Sequence, residues 1–87
     1  MLLVVDFSDI NLEFDRTDIR IDSSGDFTVG KLLTKVCDGI EEIGHITIPD
    51  RQGLMLLSPN RKLLDSGIKV KDLSLNDWDT VYIIRRV

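Results

Sequence analysis

At 87 residues, 43% of them hydrophobic and 30% charged, the chain suits one small domain spanning 1–87 around a single modest core. Its net charge of −4 argues against nucleic acid as the main ligand, because phosphate binding needs a basic face. No apolar run is long enough to approach the roughly 20 residues of a membrane span, so direct membrane insertion is not expected.

The charge is unevenly spread. Residues 1–28 carry seven acids against Arg16 and Arg20, whereas residues 51–87 carry seven bases against four Asp. The basic C-terminal portion keeps a nucleic-acid-binding regulator as a minor alternative. The start lacks the basic region and length of a signal peptide, and the single Cys37 has no internal disulfide partner. These features lead to the expectation of a cytoplasmic protein.

In chain order, Leu3 to Phe7 reads as a strand, with Leu3, Val5 and Phe7 on one face and Leu2, Val4 and Asp6 on the other. Turn formers from Ser8 to Arg16 make a hairpin connection to a second strand, Thr17 to Ile21, with Ile19 and Ile21 inward and Asp18 and Arg20 outward. Ser23-Ser24-Gly25-Asp26 reads as a loop. Thr28 is a good N-cap, and Val29, Leu32, Leu33, Val36, Cys37 and Ile40 follow at helical spacing, so that stripe faces a sheet. Gly39 is expected to mark the end of the regular helix, with Glu41 and Glu42 on solvent.

Ile43 to Arg51 reads as a connector, and Gly53 to Leu57 as a third strand. Ser58-Pro59-Asn60-Arg61 has the composition of a tight turn, and Lys62-Leu63-Leu64 reads as a short fourth strand. Val70 to Leu75 is expected to be a compact turn or 3₁₀ segment, and Thr80 to Arg85 the fifth strand. One helix with short strands in this order favours a single mixed sheet with the helix across one face. The long crossover places the first and last strands parallel at its centre.

Two segments carry a family resemblance. Val70-Lys71-Asp72-Leu73-Ser74-Leu75-Asn76-Asp77-Trp78-Asp79-Thr80-Val81-Tyr82-Ile83 resembles the ubiquitin-like pattern L-x-D-x-x-I-x-x-G-D-x-L-x-I. Asp6-Phe7-Ser8-Asp9-Ile10-Asn11, with Thr17-Asp18-Ile19-Arg20-Ile21 after it, looks like the first hairpin of YukD/EsaB-type ubiquitin-like proteins. These are small stand-alone proteins of type VII (WXG100) secretion systems in Gram-positive bacteria. The resemblance implies an α+β fold of ubiquitin-like β-grasp type, a mixed five-stranded sheet in the order 2-1-5-3-4 with one helix packed across one face. It also implies a cytoplasmic accessory or regulatory component, partnered by a cytosolic domain of a membrane-embedded secretion machine. Trp78 departs from the pattern, which has Gly there; a turn wanting φ > 0 disfavours a bulky side chain.

No arrangement of nucleophile, base and oxyanion donor is visible, so no catalytic residue, cofactor or metal is expected, and the chain reads as not an enzyme. Cys37 sits beside the core stripe and reads as a small hydrophobe. His45 has no partners in sequence with which to hold a metal, and Asp77 and Asp79 are ordinary turn acids. Gly30-Lys31 lacks the rest of a phosphate loop. The end Ile84-Arg85-Arg86-Val87 has no Gly-Gly, which disfavours the alternative of a ubiquitin-like modifier or sulfur carrier.

The face of the sheet turned away from the helix is more informative. Alternation puts Leu2 and Val4, Met55 with Leu57, and Tyr82 and Ile84 on it. With these strands adjacent, as the resemblance implies, they form one apolar patch rimmed by Arg51, Lys62, Arg85 and Arg86. The expected partner-binding residues are Leu2, Val4, Met55, Tyr82, Ile84, Arg85 and Arg86, the two arginines steering an acidic partner. The expected core is Leu3, Val5, Phe7, Ile19, Ile21, Leu32, Leu33, Val36, Leu56, Leu75, Val81 and Ile83. The function these readings support is a non-enzymatic protein–protein interaction module, with self-association left open.

Overall fold

A computed structural model describes residues 1–21 and 26–86. The loop expected at Ser23-Ser24-Gly25-Asp26 therefore lies mostly outside the described residues, as does Val87 at the chain end. Four strands form one sheet: β1 (Leu2–Asp6), β2 (Arg16–Arg20), β3 (Leu54–Leu57) and β4 (Thr80–Arg85). One helix, α1 (Val29–Gly44), packs across one face, and 3₁₀ turns at Ser8–Ile10, Arg51–Gly53 and Val70–Leu73 join the elements. The strand order is β2-β1-β4-β3. β1 and β4 run parallel at the centre, with Val5 opposite Val81, and the outer pairings are antiparallel.

Alternation explains the burial. Leu3, Val5, Val81, Ile83, Leu54 and Leu56 turn toward α1 and are buried, and the helix answers with Val29, Leu32, Val36, Cys37 and Ile40. Phe7, fully buried just past β1, meets Phe14 edge to face at 5.1 Å between ring centroids. Leu33 and Leu75, expected in the core, are half-buried at its margin, while Ile10, Ile48 and Val70 join it from the connections.

Among the described residues the sheet has four strands, which corrects the expected five-stranded ubiquitin-like β-grasp to a four-stranded mixed sheet with one helix. Lys62-Leu63-Leu64 makes only an isolated bridge, Leu63 opposite Leu57, with Leu64 N–H donating to Leu56 C=O at 3.0 Å. The ladder stops there because the next carbonyls are drawn to the helix. Gly30 N–H donates to Ser66 C=O (3.0 Å) and Val29 N–H to Ile68 C=O (2.8 Å), satisfying donors that an α-helix leaves unpaired at its start. Thr28 Oγ adds the expected cap by accepting from Lys31 N–H at 3.3 Å.

The helix also runs past Gly39, the residue expected to end it. Gly39 is there for closeness: a Cβ on it would stand 3.1 Å from Ile19 Cδ1 on β2. Termination comes at His45, left-handed at φ 51°, whose N–H returns to Glu41 C=O. Glu41 is not simply on solvent either. It accepts the buried Ile48 N–H (2.7 Å) and pairs with Arg51 (2.7 Å), fastening the connector to the helix.

Candidate protein-binding face

The sheet face opposite α1 is uncovered, and its composition follows from the register. β1 contributes Leu2, Val4 and Asp6, β4 contributes Thr80, Tyr82 and Ile84, and β3 contributes Met55 and Leu57, all half-buried. Pairing sets Ile84 against Met55 and Tyr82 between Asp6 and Leu57. Tyr82, Ile84, Met55 and Leu57 thus form a continuous apolar block. Val4 lies opposite Thr80, so Leu2 and Val4 reach that block only diagonally. The block from Met55 to Tyr82 meets Val4 across the Val4–Tyr82 diagonal, with Asp6 and Thr80 beside that contact.

Arg61 covers part of the larger block. Its guanidinium lies 4.5 Å from the centroid of the Tyr82 ring, a cation–π contact. The turn before it holds this position: Arg61 N–H donates to Ser58 C=O (2.8 Å), Lys62 N–H donates to Ser58 Oγ (3.1 Å), and the Ser58 hydroxyl pairs with Asn60 Oδ1. Sequence reasoning placed the turn but not Arg61 on the face. The Tyr82–Leu57 pairing, with a tight turn one residue beyond Leu57, is the signal that could have found it.

Asp6 was also missed. Its carboxylate accepts from Ser8 N–H (3.1 Å) and the Ser8 hydroxyl (2.9 Å) and pairs with Arg16 at 3.3 Å. The Ser8 backbone bond chiefly, with help from Arg16, holds the Asp6 carboxyl below its ordinary range. Asp6, Asp9, Leu57, Arg61, Tyr82 and Ile84 line a shallow depression of about 320 Å³.

The expected basic rim is redistributed. Alternation turns Arg85 to the helix side with Val81 and Ile83, where its guanidinium lies 3.4 Å from the carbonyls of Pro49 and Asp50. Arg51 is committed to Asp38 (2.8 Å) and Glu41 (2.7 Å). Arg86 and Lys62 stay exposed. Cations on the open face come instead from Arg61 and from Arg16 and Arg20 of β2, so steering of an acidic partner by Arg85 has no geometric support.

Trp78 stands at the other end of this face. Its N–H donates to Leu2 C=O (2.7 Å), while Leu2 N–H donates to Asp77 Oδ1 (2.9 Å). The turn takes the conformation that its side chain disfavours, with φ at 71° and the residue 63% exposed. Asn11, His45, Asp50, Arg61 and Ser74 are the other described non-glycine residues at positive φ. Arg61 and Trp78 are the bulky members of that set, and both border the open face.

The remaining candidates are dispersed. Cys37 is buried, and desolvation pushes its thiol pKa up. His45 caps the helix end. Among the described residues no three His, Cys, Asp or Glu side chains gather as a metal site, and no helix is long and apolar enough to cross a membrane.

No family model and no curated protein matches the chain. Solved structures do. One is a chain from the crystal structure of ATBAG1 in complex with HSP70, similar at 14% identity with a TM-score of 0.66. The match covers 99% of this chain and 40% of that one, so the chain spans less than half of its structural neighbour. At that identity the likeness concerns the fold alone. It gives no support for a five-stranded ubiquitin-like assignment.

Proposed function

We propose that this domain is a non-enzymatic protein-interaction module that binds through the open face of its sheet. The observation that carries the reading is the block of Tyr82, Ile84, Met55 and Leu57, bordered by Arg61, which a left-handed backbone conformation aims over the Tyr82 ring. Bulky residues held in sparsely populated backbone regions concentrate at binding sites, where the surrounding structure bears the cost. Tyr82 is the anchor: a rigid amphipathic ring, already flanked by a guanidinium, suits the centre of an interface. The partner is a protein that seats apolar side chains on this block and meets the mixed charges of Asp6, Arg16 and Arg61 at its border.

The resemblance of residues 6–11 and 17–21 to YukD/EsaB-type proteins supports a finer reading. In it the module is a cytoplasmic accessory or regulatory component of a type VII secretion system, and the partner is a cytosolic domain of the membrane-embedded machine. The test is the double substitution Tyr82→Ala with Ile84→Asp. Both residues are half-buried on the uncovered face, so the expected result is a retained cooperative melt together with lost capture of the membrane ATPase's cytosolic domain and lost export of a WXG100 substrate. Full export by the double variant would overturn the secretion reading. Undiminished capture of that domain by the folded variant would overturn the face assignment.

A further inference from the structure

The missing fifth strand leaves a second, differently built surface at the outer edge of β3. The bond from Arg86 N–H to Gly53 C=O (2.6 Å) sets the hydrogen-bonding phase of the β3–β4 ladder, so Met55 and Leu57 bond inward to β4. Leu54 and Leu56 therefore direct their backbone groups outward. Two of these four groups are used: Leu56 C=O takes Leu64 N–H at 3.0 Å, and Leu54 N–H turns back to Arg51 C=O. Among the described residues, no donor reaches Leu54 C=O and no acceptor takes Leu56 N–H.

This acceptor and this donor flank Met55 and open into a groove of about 350 Å³ between β3, the start of α1 and the 63–66 segment. Val29, Gly30, Leu33, Leu63, Leu64 and Arg86 line it. The volume lies at the lower end of the range for binding pockets, enough for a short peptide stretch and small for a folded partner.

We propose that this groove binds an extended, apolar peptide segment of another protein, flanked by an acidic residue, by adding it as a strand to β3. One guest residue opposite Met55 supplies the C=O for Leu56 N–H and the N–H for Leu54 C=O if the guest runs parallel; its two neighbours supply them if it runs antiparallel. The guest takes the place that the chain vacates when Ser66 and Ile68 turn to the helix start. Strand alternation then sends the neighbours of that guest residue toward Val29, Leu33 and Leu64. Arg86, exposed at the mouth and without an ion-pair partner among the described residues, selects the acidic flank. A second copy of this chain fits less well, because the groove, walled by Leu63 and Leu64, is small for a folded partner.

The test is an amide titration of the ¹⁵N-labelled full chain with an acetylated, amidated hexapeptide of alternating valine and isoleucine carrying a glutamate at each end. The Leu56 amide proton is expected to shift downfield saturably and to exchange about tenfold more slowly with solvent. The same peptide N-methylated at its central residues is expected to bind no longer. Arg86→Glu is expected to weaken binding about fivefold. Gly30→Leu fills the groove without backbone strain, since a Cβ there would rest 3.5 Å from Ser66, and is expected to abolish binding with an intact melt. The double substitution at Tyr82 and Ile84 is expected to leave this binding unchanged, which separates it from the open-face reading. No saturable shift at Leu56, shifts confined to Tyr82 and Ile84, or protection of Leu56 that rises with protein concentration alone would each overturn the proposal.

Discussion

Leu32 and Leu33 are neighbours in sequence and identical in chemistry, but they occupy different environments on α1. Leu32 is fully buried under the sheet, whereas Leu33 is half-buried at the groove beside β3. Leu32→Ala removes three buried carbons and leaves a cavity that β1 and β4 cannot close, a cost of about 3–5 kcal/mol. Leu33→Ala loses only part of the transfer term and opens its gap toward solvent, a cost of about 1–2 kcal/mol. A chain of this length has about 4–13 kcal/mol of total stability. Leu32→Ala should therefore take away about a quarter or more of it and lower Tm by about 12 °C or more, whereas Leu33→Ala lowers it by about 4–16 °C. Urea unfolding followed by circular dichroism gives both numbers on one scale. Equal costs for the two variants, or a cost below about 1 kcal/mol for Leu32→Ala, would refute the orientation of the helix.

Acid should destabilise the fold through its depressed carboxylates. Glu41 is lowered from 4.5 chiefly by Ile48 N–H, Asp6 from 3.8 chiefly by Ser8 N–H, and Asp26 from 3.8 by Lys69 and Lys71. A group with a lowered folded pKa gives stability above its unfolded value and loses it as pH falls through the folded one. Melts should hold steady from neutral pH to about 5 and decline below 4.5 and then 3.8. Glu41→Gln should flatten the first part of that decline, and an unchanged profile would refute the latch. Cys37, 1% exposed with a raised thiol pKa, should react with iodoacetamide only as fast as the protein opens; labelling at the rate of a free thiol in native buffer would contradict its burial. At position 78, comparing glycine with alanine isolates the backbone term, since both lack the indole. The left-handed φ of 71° should make Trp78→Gly more stable than Trp78→Ala by about 0.5–1 kcal/mol in urea titrations, and the reverse order would refute that conformation.

Sequence by itself determined what depends on short-range periodicity. Alternation in Leu2–Phe7 and Thr80–Arg85 assigned inward and outward side chains, and the stripe from Val29 to Ile40 oriented the helix, because burying one face imposes those repeats on any sequence. Tertiary structure decided wherever a local signal had two meanings. Gly39 read as a helix stop but is a close-packing glycine against Ile19, and only the neighbouring strand distinguishes the two. Lys62-Leu63-Leu64 has strand composition, yet the unpaired donors at the start of α1 compete for the carbonyls of Ser66 and Ile68 and end the ladder after one bridge. Arg85 and Arg61 show the same limit at the binding face. Arg85 is charged and near the patch in sequence but turns to the helix side. Arg61 lies 21 positions before Tyr82 yet stacks on its ring. Charge and alternation indicate which way a side chain points on its own strand; which distant side chain meets it depends on strand register, and register is set by packing across the whole sheet.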